Sequence, residues 1–237
     1  MGFYQELSRY YDEIFNTDAK ELHFFKERLA GKKRLLDIGC GTGNKTELFS
    51  ASGNKIIAID LDPGMIARAQ AEHGKADVSY RVLDMLAIDR EFAHASFDGI
   101  LCLGNTLVHL DSLECIRQML NKIYALLSNG GISIIQILNY DRILARQVDS
   151  LPVIETTNTQ FYRSYVRAGE HLRFITKLFL KETGRTLENN ILLYPLRYEE
   201  LRDMLHSVGF GTVAFYGNDE GTPLTDDSFV TIAVCGK

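Results

Sequence analysis

Apolar positions recur at helical spacing from residue 3 to residue 30, through Leu7, Tyr10, Tyr11, Ile14, Leu22, Phe25 and Leu29, and the pattern stops at Gly31. Leu35-Leu36-Asp37-Ile38 is a short apolar run cut off by glycine, which reads as a buried strand. Lys55 to Asp60 predicts a second strand, with a short helix over Lys45 to Ser50 between the two. Asp62-Pro63 supplies an N-cap and a proline at the first helical position, opening a helix through Met65, Ile66 and Ala69. Strands follow at Val78 to Leu83 and Phe97 to Leu103. A helix over Leu113 to Leu127 should stop at Asn129-Gly130-Gly131, and Ile132 to Leu138 is a β-branched strand. Such alternation builds a parallel sheet with helices on both faces, an α/β fold.

The period changes after Glu155. Gln160 to Val166, Leu172 to Leu180 and Asn190 to Leu193 read as strands, punctuated by Ala168-Gly169 and Thr183-Gly184, with no helix between them. This predicts an antiparallel meander inserted into the parallel fold. Helical spacing returns over Tyr198 to Val208 and ends at Gly209; strands at Thr212 to Tyr216 and Ser228 to Val234 follow. The expected divisions are 1–30 as an N-terminal helical cap, 31–150 as the ligand-binding α/β core, 151–194 as an antiparallel β insert acting as a lid, and 195–237 as completion of the core.

A length of 237 residues, 46% hydrophobic and 24% charged, suits one globular domain with an insertion and excludes a disordered or fibrous chain. No apolar run approaches the ~20 residues of a membrane span. The first residues lack the basic-then-apolar pattern of a secretory signal. Cys40, Cys102, Cys115 and Cys235 form no C-x-x-C pair. The expectation is a cytoplasmic protein with reduced thiols. A net charge of −5 argues against a general polyanion binder, so no nucleic-acid partner is expected. The insert departs from that balance: Arg163, Arg167, Arg173, Lys177, Lys181 and Arg185 face only Glu170 and Glu182. It reads either as a solvated hairpin face or as a surface toward an acidic substrate.

The most informative segment runs from Asp37 through Gly39-Cys40-Gly41-Thr42-Gly43-Asn44. A glycine-rich turn between a strand and a helix lets a nucleotide-like ligand lie against bare backbone. The spacing is G-x-G-x-G, with Asn44 where the dinucleotide fingerprint has its third glycine, which disfavours a pyrophosphate ligand. Asp60 ends the second strand, where a carboxylate overhangs the crevice and can accept two ribose hydroxyls. Asp84 follows the third strand, placed to accept from an adenine amino group, with Leu61 and Met85 against the ring faces. Asp37 reads as a group that orients the loop or meets the ligand's amino group.

In this order, loop, ribose acid and adenine acid resemble the class I S-adenosylmethionine-dependent methyltransferases over Leu35 to Leu138. The resemblance implies a Rossmann-like, seven-stranded, mostly parallel sheet with a reversed last strand. It also implies S-adenosyl-L-methionine as donor, S-adenosyl-L-homocysteine as product and no metal. Donor contacts would come from Tyr11, Asp37, Gly39, Cys40, Gly41, Gly43, Asp60, Leu61, Met65, Asp84, Met85 and Leu103. Tyr11 enters because an N-terminal helix in this family often closes over the donor.

The fourth strand leads into Gly104-Asn105-Thr106-Leu107-Val108-His109-Leu110, and the fifth into Asn139-Tyr140-Asp141. Both segments resemble the glycine N-methyltransferase group. Asn105 and His109 are therefore the candidate reacting-side residues, His109 as a base or as a structural histidine. The family has an arginine for the glycine carboxylate directly before Asn-Tyr-Asp; here that position is Leu138, which cannot pair a carboxylate. Tyrosines 4, 10, 11, 162, 165 and 194 fall at the two ends of the expected pocket, where aromatic faces can hold a cation. The expected activity is methyl transfer to a small-molecule acceptor, an amine nitrogen by preference. Two readings stay open beside it: a methyltransferase for RNA or protein, and a non-catalytic domain that binds the donor. Oligomeric state is not legible.

Overall fold

The computed structural model describes residues 3–17, 22–50 and 53–237. The N-terminal segment forms three short helices, α1 (Phe3–Leu7), α2 (Tyr11–Ile14) and α3 (His23–Arg28). The expected helical stretch is thus interrupted, and its portion at 18–21 lies outside the described residues. Then follow β1 (Arg34–Ile38), α4 (Asn44–Phe49), β2 (Lys55–Asp60), α5 (Pro63–Glu72), β3 (Val78–Val82), α6 (Ile88–Glu91), β4 (Phe97–Cys102), α7 (Leu113–Leu126), β5 (Leu127–Leu138) and α8 (Tyr140–Ala145). Strands β6 (Ser150–Glu155), β7 (Thr159–Ala168), β8 (His171–Leu180) and β9 (Arg185–Leu193) come next, before α9 (Tyr198–Val208), β10 (Thr212–Tyr216) and β11 (Val230–Gly236).

The seven-stranded sheet has the order β10-β11-β5-β4-β1-β2-β3. From β5 to β3 all pairings are parallel, while β11 runs antiparallel to both β5 and β10, so the reversed last strand is present. Chain order reverses beside β1, which opens a crevice beyond the carboxyl ends of β1 and β4. One face of the sheet is covered by α7 and α9, whose Ile116, Met119, Leu120, Ile123, Leu201 and Leu205 are fully buried. The other face packs Leu22, Phe24, Phe25 and Leu29 against Leu35, Leu101 and Ile134.

At α5 the sequence reading holds in detail: Asp62 accepts from the Met65 amide at 2.9 Å with Pro63 following it. At α7 it does not. The helix ends at Leu126, and Leu127 already pairs with Phe97 in the sheet. Gly130 and Gly131 lie inside a bulged β5, where the register jumps from Phe97 opposite Leu127 to Gly99 opposite Ile132. The last helical carbonyls are satisfied instead by Lys237, whose Nζ donates to Tyr124 and Leu127 at 2.7 and 2.8 Å. A cation at a helix C-terminus does here what the glycine cap was expected to do.

The insert is a four-stranded antiparallel sheet, β6-β7-β8-β9, with hairpin partners Ala168 and His171, and Leu180 and Arg185. Its inner face buries Phe161, Tyr165, Leu172, Leu178, Leu180 and Leu193. Tyr162, Val166 and Leu192 are exposed on the other face. Most of the insert's basic residues are on the solvent side, where Lys177 pairs with Glu188 at 2.6 Å and Lys181 with Glu155 at 2.8 Å. No helix among the described residues is long and apolar enough to cross a membrane.

Candidate functional site

The turn after β1 is held open by backbone geometry that side chains resist. Gly39, Gly41 and Gly43 have φ of +74°, +58° and +81°. A Cβ on Gly39 would stand 2.4 Å from Thr106 Cγ2, and one on Gly43 2.6 Å from the Tyr80 ring. The Gly39 and Cys40 amides donate to the Ile59 carbonyl, tying the turn to β2. Asp60 then clamps it: one carboxylate oxygen accepts from the Gly41 amide and the other from the Asp62 amide, both at 2.9 Å. Each oxygen keeps acceptor capacity beyond these two bonds. Burial raises the Asp60 pKa, opposed by the backbone donors that favour its charge.

The N-terminal helices close over this turn. Tyr11 packs against Gly41, whose hypothetical Cβ would lie 3.3 Å from the phenol oxygen. Thr42 donates to Asp12, and Asn44 to the Phe15 carbonyl at 3.0 Å. His73 bridges Asp12 and Glu47 at 2.8 and 2.5 Å. Asp12, Glu72 and His73 lie close together; Asp12 is bonded to His73, and Glu72 pairs with Arg68 at 2.8 Å.

A cavity of about 300 Å³ opens between this turn, the ends of β4 and β5, and the inner face of the four-stranded sheet. Small-molecule sites commonly begin at about that size. Tyr11, Asp37, Gly39, Cys40, Leu103, Asn105 and His109 all line it, so seven of the residues expected from the sequence meet at one place. Asp37 is buried, accepts from Thr46 Oγ1 at 2.5 Å, and is pushed up to about 6 by that burial. Lys45 lies on the same wall and partly offsets this. Burial likewise drives the Tyr11 and Cys40 protons to be retained.

Asn105 takes a left-handed conformation, φ +73°, which an asparagine tolerates better than most residues. Its amide oxygen accepts from the Leu138 amide at 2.9 Å, and its amide nitrogen donates to Tyr140 Oη at 3.0 Å. The asparagine therefore locks the end of β5 and the start of α8 to the cavity rim. His109 is surrounded by protein yet reached by solvent through the cavity mouth, and desolvation lowers its pKa. That shift favours the neutral imidazole, the form that can accept a proton.

The remaining expected donor contacts stand apart from the cavity lining. Asp84 is exposed and accepts from the Leu86 amide at 2.8 Å, capping a 3-10 turn. Leu61 is 68% exposed beside Asp60, and Met85 rests against the main core. Met65 is buried among Leu7, Ile14 and Phe161, under the N-terminal helices. Tyr162 points outward, because residues two apart on β7 share a face and Phe161 takes the inner one. The lining also includes residues the sequence did not single out as site residues. Among them, Gln136 accepts from the Gly104 amide at 3.2 Å, and Arg163 is one of the six cations read as a solvated face or as a surface toward an acidic substrate.

Comparison with known proteins identifies the family and the fold. The methyltransferase-domain family matches residues 35–131. The chain is 30% identical to the glycine/sarcosine N-methyltransferase of Aphanothece halophytica, over 96% of this chain and 86% of that one. It is 27% identical to the enzyme of the same name from Halorhodospira halochloris, over 94% and 85%. Its fold is similar to a solved S-adenosylmethionine-dependent methyltransferase from Clostridium acetobutylicum, with a TM-score of 0.81, 15% identity and 99% of each chain covered. The glycine turn, the acid at the end of β2 and these full-length relatives carry one conclusion: the chain belongs to the class I S-adenosylmethionine-dependent methyltransferases, within the glycine N-methyltransferase-like group.

Proposed function

We propose that this methyltransferase acts on the amine nitrogen of a small molecule, using S-adenosyl-L-methionine. The observation that carries the reading is the cavity itself. It is small, it is walled by Phe161, Phe174 and Ile191 on one side, and a neutral imidazole lines it. The relatives named for glycine and sarcosine N-methylation support an amine acceptor.

The residues present fit the donor. Bare glycine backbone faces the crevice, Asp60 has acceptor capacity left for ribose hydroxyls, and Asp37 with Lys45 matches a zwitterionic amino-acid end. When bound, the donor supplies an electrophilic methyl on a sulfonium that leaves as a neutral thioether. Tyr11 and the N-terminal helices exclude water from that end of the cavity. Asn105 and Gln136 fix the ends of β4 and β5, so that acceptor and donor are held in line; alignment of this kind is worth up to about 7–11 kcal/mol. The acceptor amine must first shed the proton it carries at neutral pH, and His109, held neutral, takes it. The freed lone pair forms the new N–C bond as the S–C bond breaks, giving the methylated amine and the neutral thioether. The four-stranded sheet serves as the lid over the acceptor.

The test uses donor labelled on its methyl group, incubated with the protein and a cell extract and separated by size. Label on nitrogen in the small-molecule fraction bears the reading out. Label in protein or RNA replaces it. Donor binding with no transfer to any fraction reduces the chain to a binding domain. A second expectation concerns pH. Because the His109 pKa is depressed below the ordinary ~6.5, kcat/KM should stay level on descending through pH 6.5 and fall only at lower pH. His109→Ala should lower the plateau about 10²-fold or more and remove that acid limb; an identical pH profile in the variant would exclude His109 as the proton acceptor.

A further inference from the structure

The inner face of the four-stranded sheet carries one polar row between two apolar ones. Across β7, β8 and β9, Arg163 stands opposite Thr176, and Thr176 opposite Asn189. The row on one side is Phe161, Leu178 and Leu187; on the other it is Tyr165, Phe174 and Ile191. All three polar residues line the cavity. A stripe of polar groups on a face that is otherwise apolar has a partner to satisfy, since polar groups enclosed without one cost free energy.

Arg163 is the least satisfied of the three. One terminal nitrogen donates to the Pro152 carbonyl at 2.9 Å, but its buried Nε has no hydrogen-bond partner. Two residues along the same face, the buried Tyr165 hydroxyl also has none. No carboxylate forms an ion pair with Arg163 among the described residues. The acid that shares the cavity, Asp37, is already bonded to Thr46 beneath the glycine turn. A guanidinium cannot shed its charge to escape burial. The position before Asn139 offers no help, because Leu138 is apolar and its amide is committed to Asn105.

We propose that the acceptor carries a carboxylate and that Arg163 binds it, from the insert sheet and not from the end of β5. This rests on the amine-methylation reading above. A carboxylate matches the planar donor fork of arginine. Thr176 and Asn189 then border the acceptor along the same row, and its amine lies toward Asn105 and His109, which line the same cavity. Leu138 thus marks a relocation of the anion anchor, not its loss.

The experiment compares wild type, Arg163→Met and Arg163→Lys with methyl-labelled donor. The probes are glycine, sarcosine, β-alanine and anthranilate, each against its own amide at equal concentration of unprotonated amine. S-adenosylhomocysteine affinity is measured by calorimetry on the same samples. Wild type should prefer the carboxylate over the amide. Arg163→Met should lose that preference by about 10- to 100-fold, chiefly through KM, because hydrogen bonds to charged groups have that worth. Arg163→Lys should recover part of it, and S-adenosylhomocysteine should bind all three alike. Label on amides and carboxylates without distinction overturns the proposal alone, as does a preference that survives Arg163→Met. Weakened S-adenosylhomocysteine binding in Arg163→Met overturns it too, by assigning the arginine to the donor's own carboxylate. No label on any amine, with S-adenosylhomocysteine still bound by wild type, overturns the amine reading and the proposal together.

Discussion

Asp60→Ala should weaken S-adenosylhomocysteine binding by about 1.5–3 kcal/mol for each charged hydrogen bond it removes, at least ten-fold in Kd. The side chain does two things at once. Its oxygens pin the glycine turn through the Gly41 and Asp62 amides, and they keep acceptor capacity beyond those two bonds for a ligand at the end of β2. Alanine removes both functions and leaves two backbone donors without their acceptor. Asp60→Asn separates them. It keeps one amide oxygen, but must turn an NH2 group toward one of the two backbone N–H donors, so it should fall close to alanine. Calorimetric titration of the three proteins checks this; wild-type affinity in Asp60→Ala would remove Asp60 from the donor site.

Gly39→Ala should destabilise the fold by roughly 2–5 kcal/mol, since alanine in the left-handed region costs about 1–2 kcal/mol and overpacking adds about 1–3. The conformational part comes from φ +74°, and the steric part from Thr106, whose methyl carbon would be 2.4 Å from the new Cβ. Thr106 is not idle: its hydroxyl donates to the Leu103 carbonyl at 2.8 Å, and it directly follows Asn105. A shift there moves the reacting side of the cavity, so activity should fall further than stability alone accounts for. The double variant Gly39→Ala with Thr106→Ala removes the two clashing atoms and keeps the φ strain. It should regain about half of the lost stability, read from denaturant midpoints. Full recovery, or none, would show that one of the two causes acts alone.

Much of this arrangement is legible in the chain. The apolar runs of β1, β2 and β4 are buried on both faces, so they read as strands without ambiguity, and Asp62-Pro63 marks the start of α5 by local chemistry alone. The glycine turn and Asp60 stand out because their spacing reflects backbone geometry. What was not legible depends on tertiary partners. Gly130-Gly131 looks like a helix stop, but whether the chain turns there or bulges into a strand depends on Lys237, more than a hundred residues away. Asn139 does cap α8, accepting from the Arg142 amide at 3.1 Å, yet a helix of six residues has too little periodicity to detect. Arg163 shows the same limit at the site. Alternation puts it on one face with Phe161 and Tyr165, but only the pairing of β7 with its neighbours shows that this face is turned toward the cavity.

The cavity walls have separate owners. The turn after β1 and the ends of β4 and β5 form one side, while a single face of one meander forms the other. Substitutions at Phe161, Arg163, Phe174, Thr176, Asn189 or Ile191 leave every backbone bond of the glycine turn untouched. Acceptor choice in this protein can therefore drift, or be redesigned, by repainting alternate positions on three strands, with the methyl-donating half inherited unchanged.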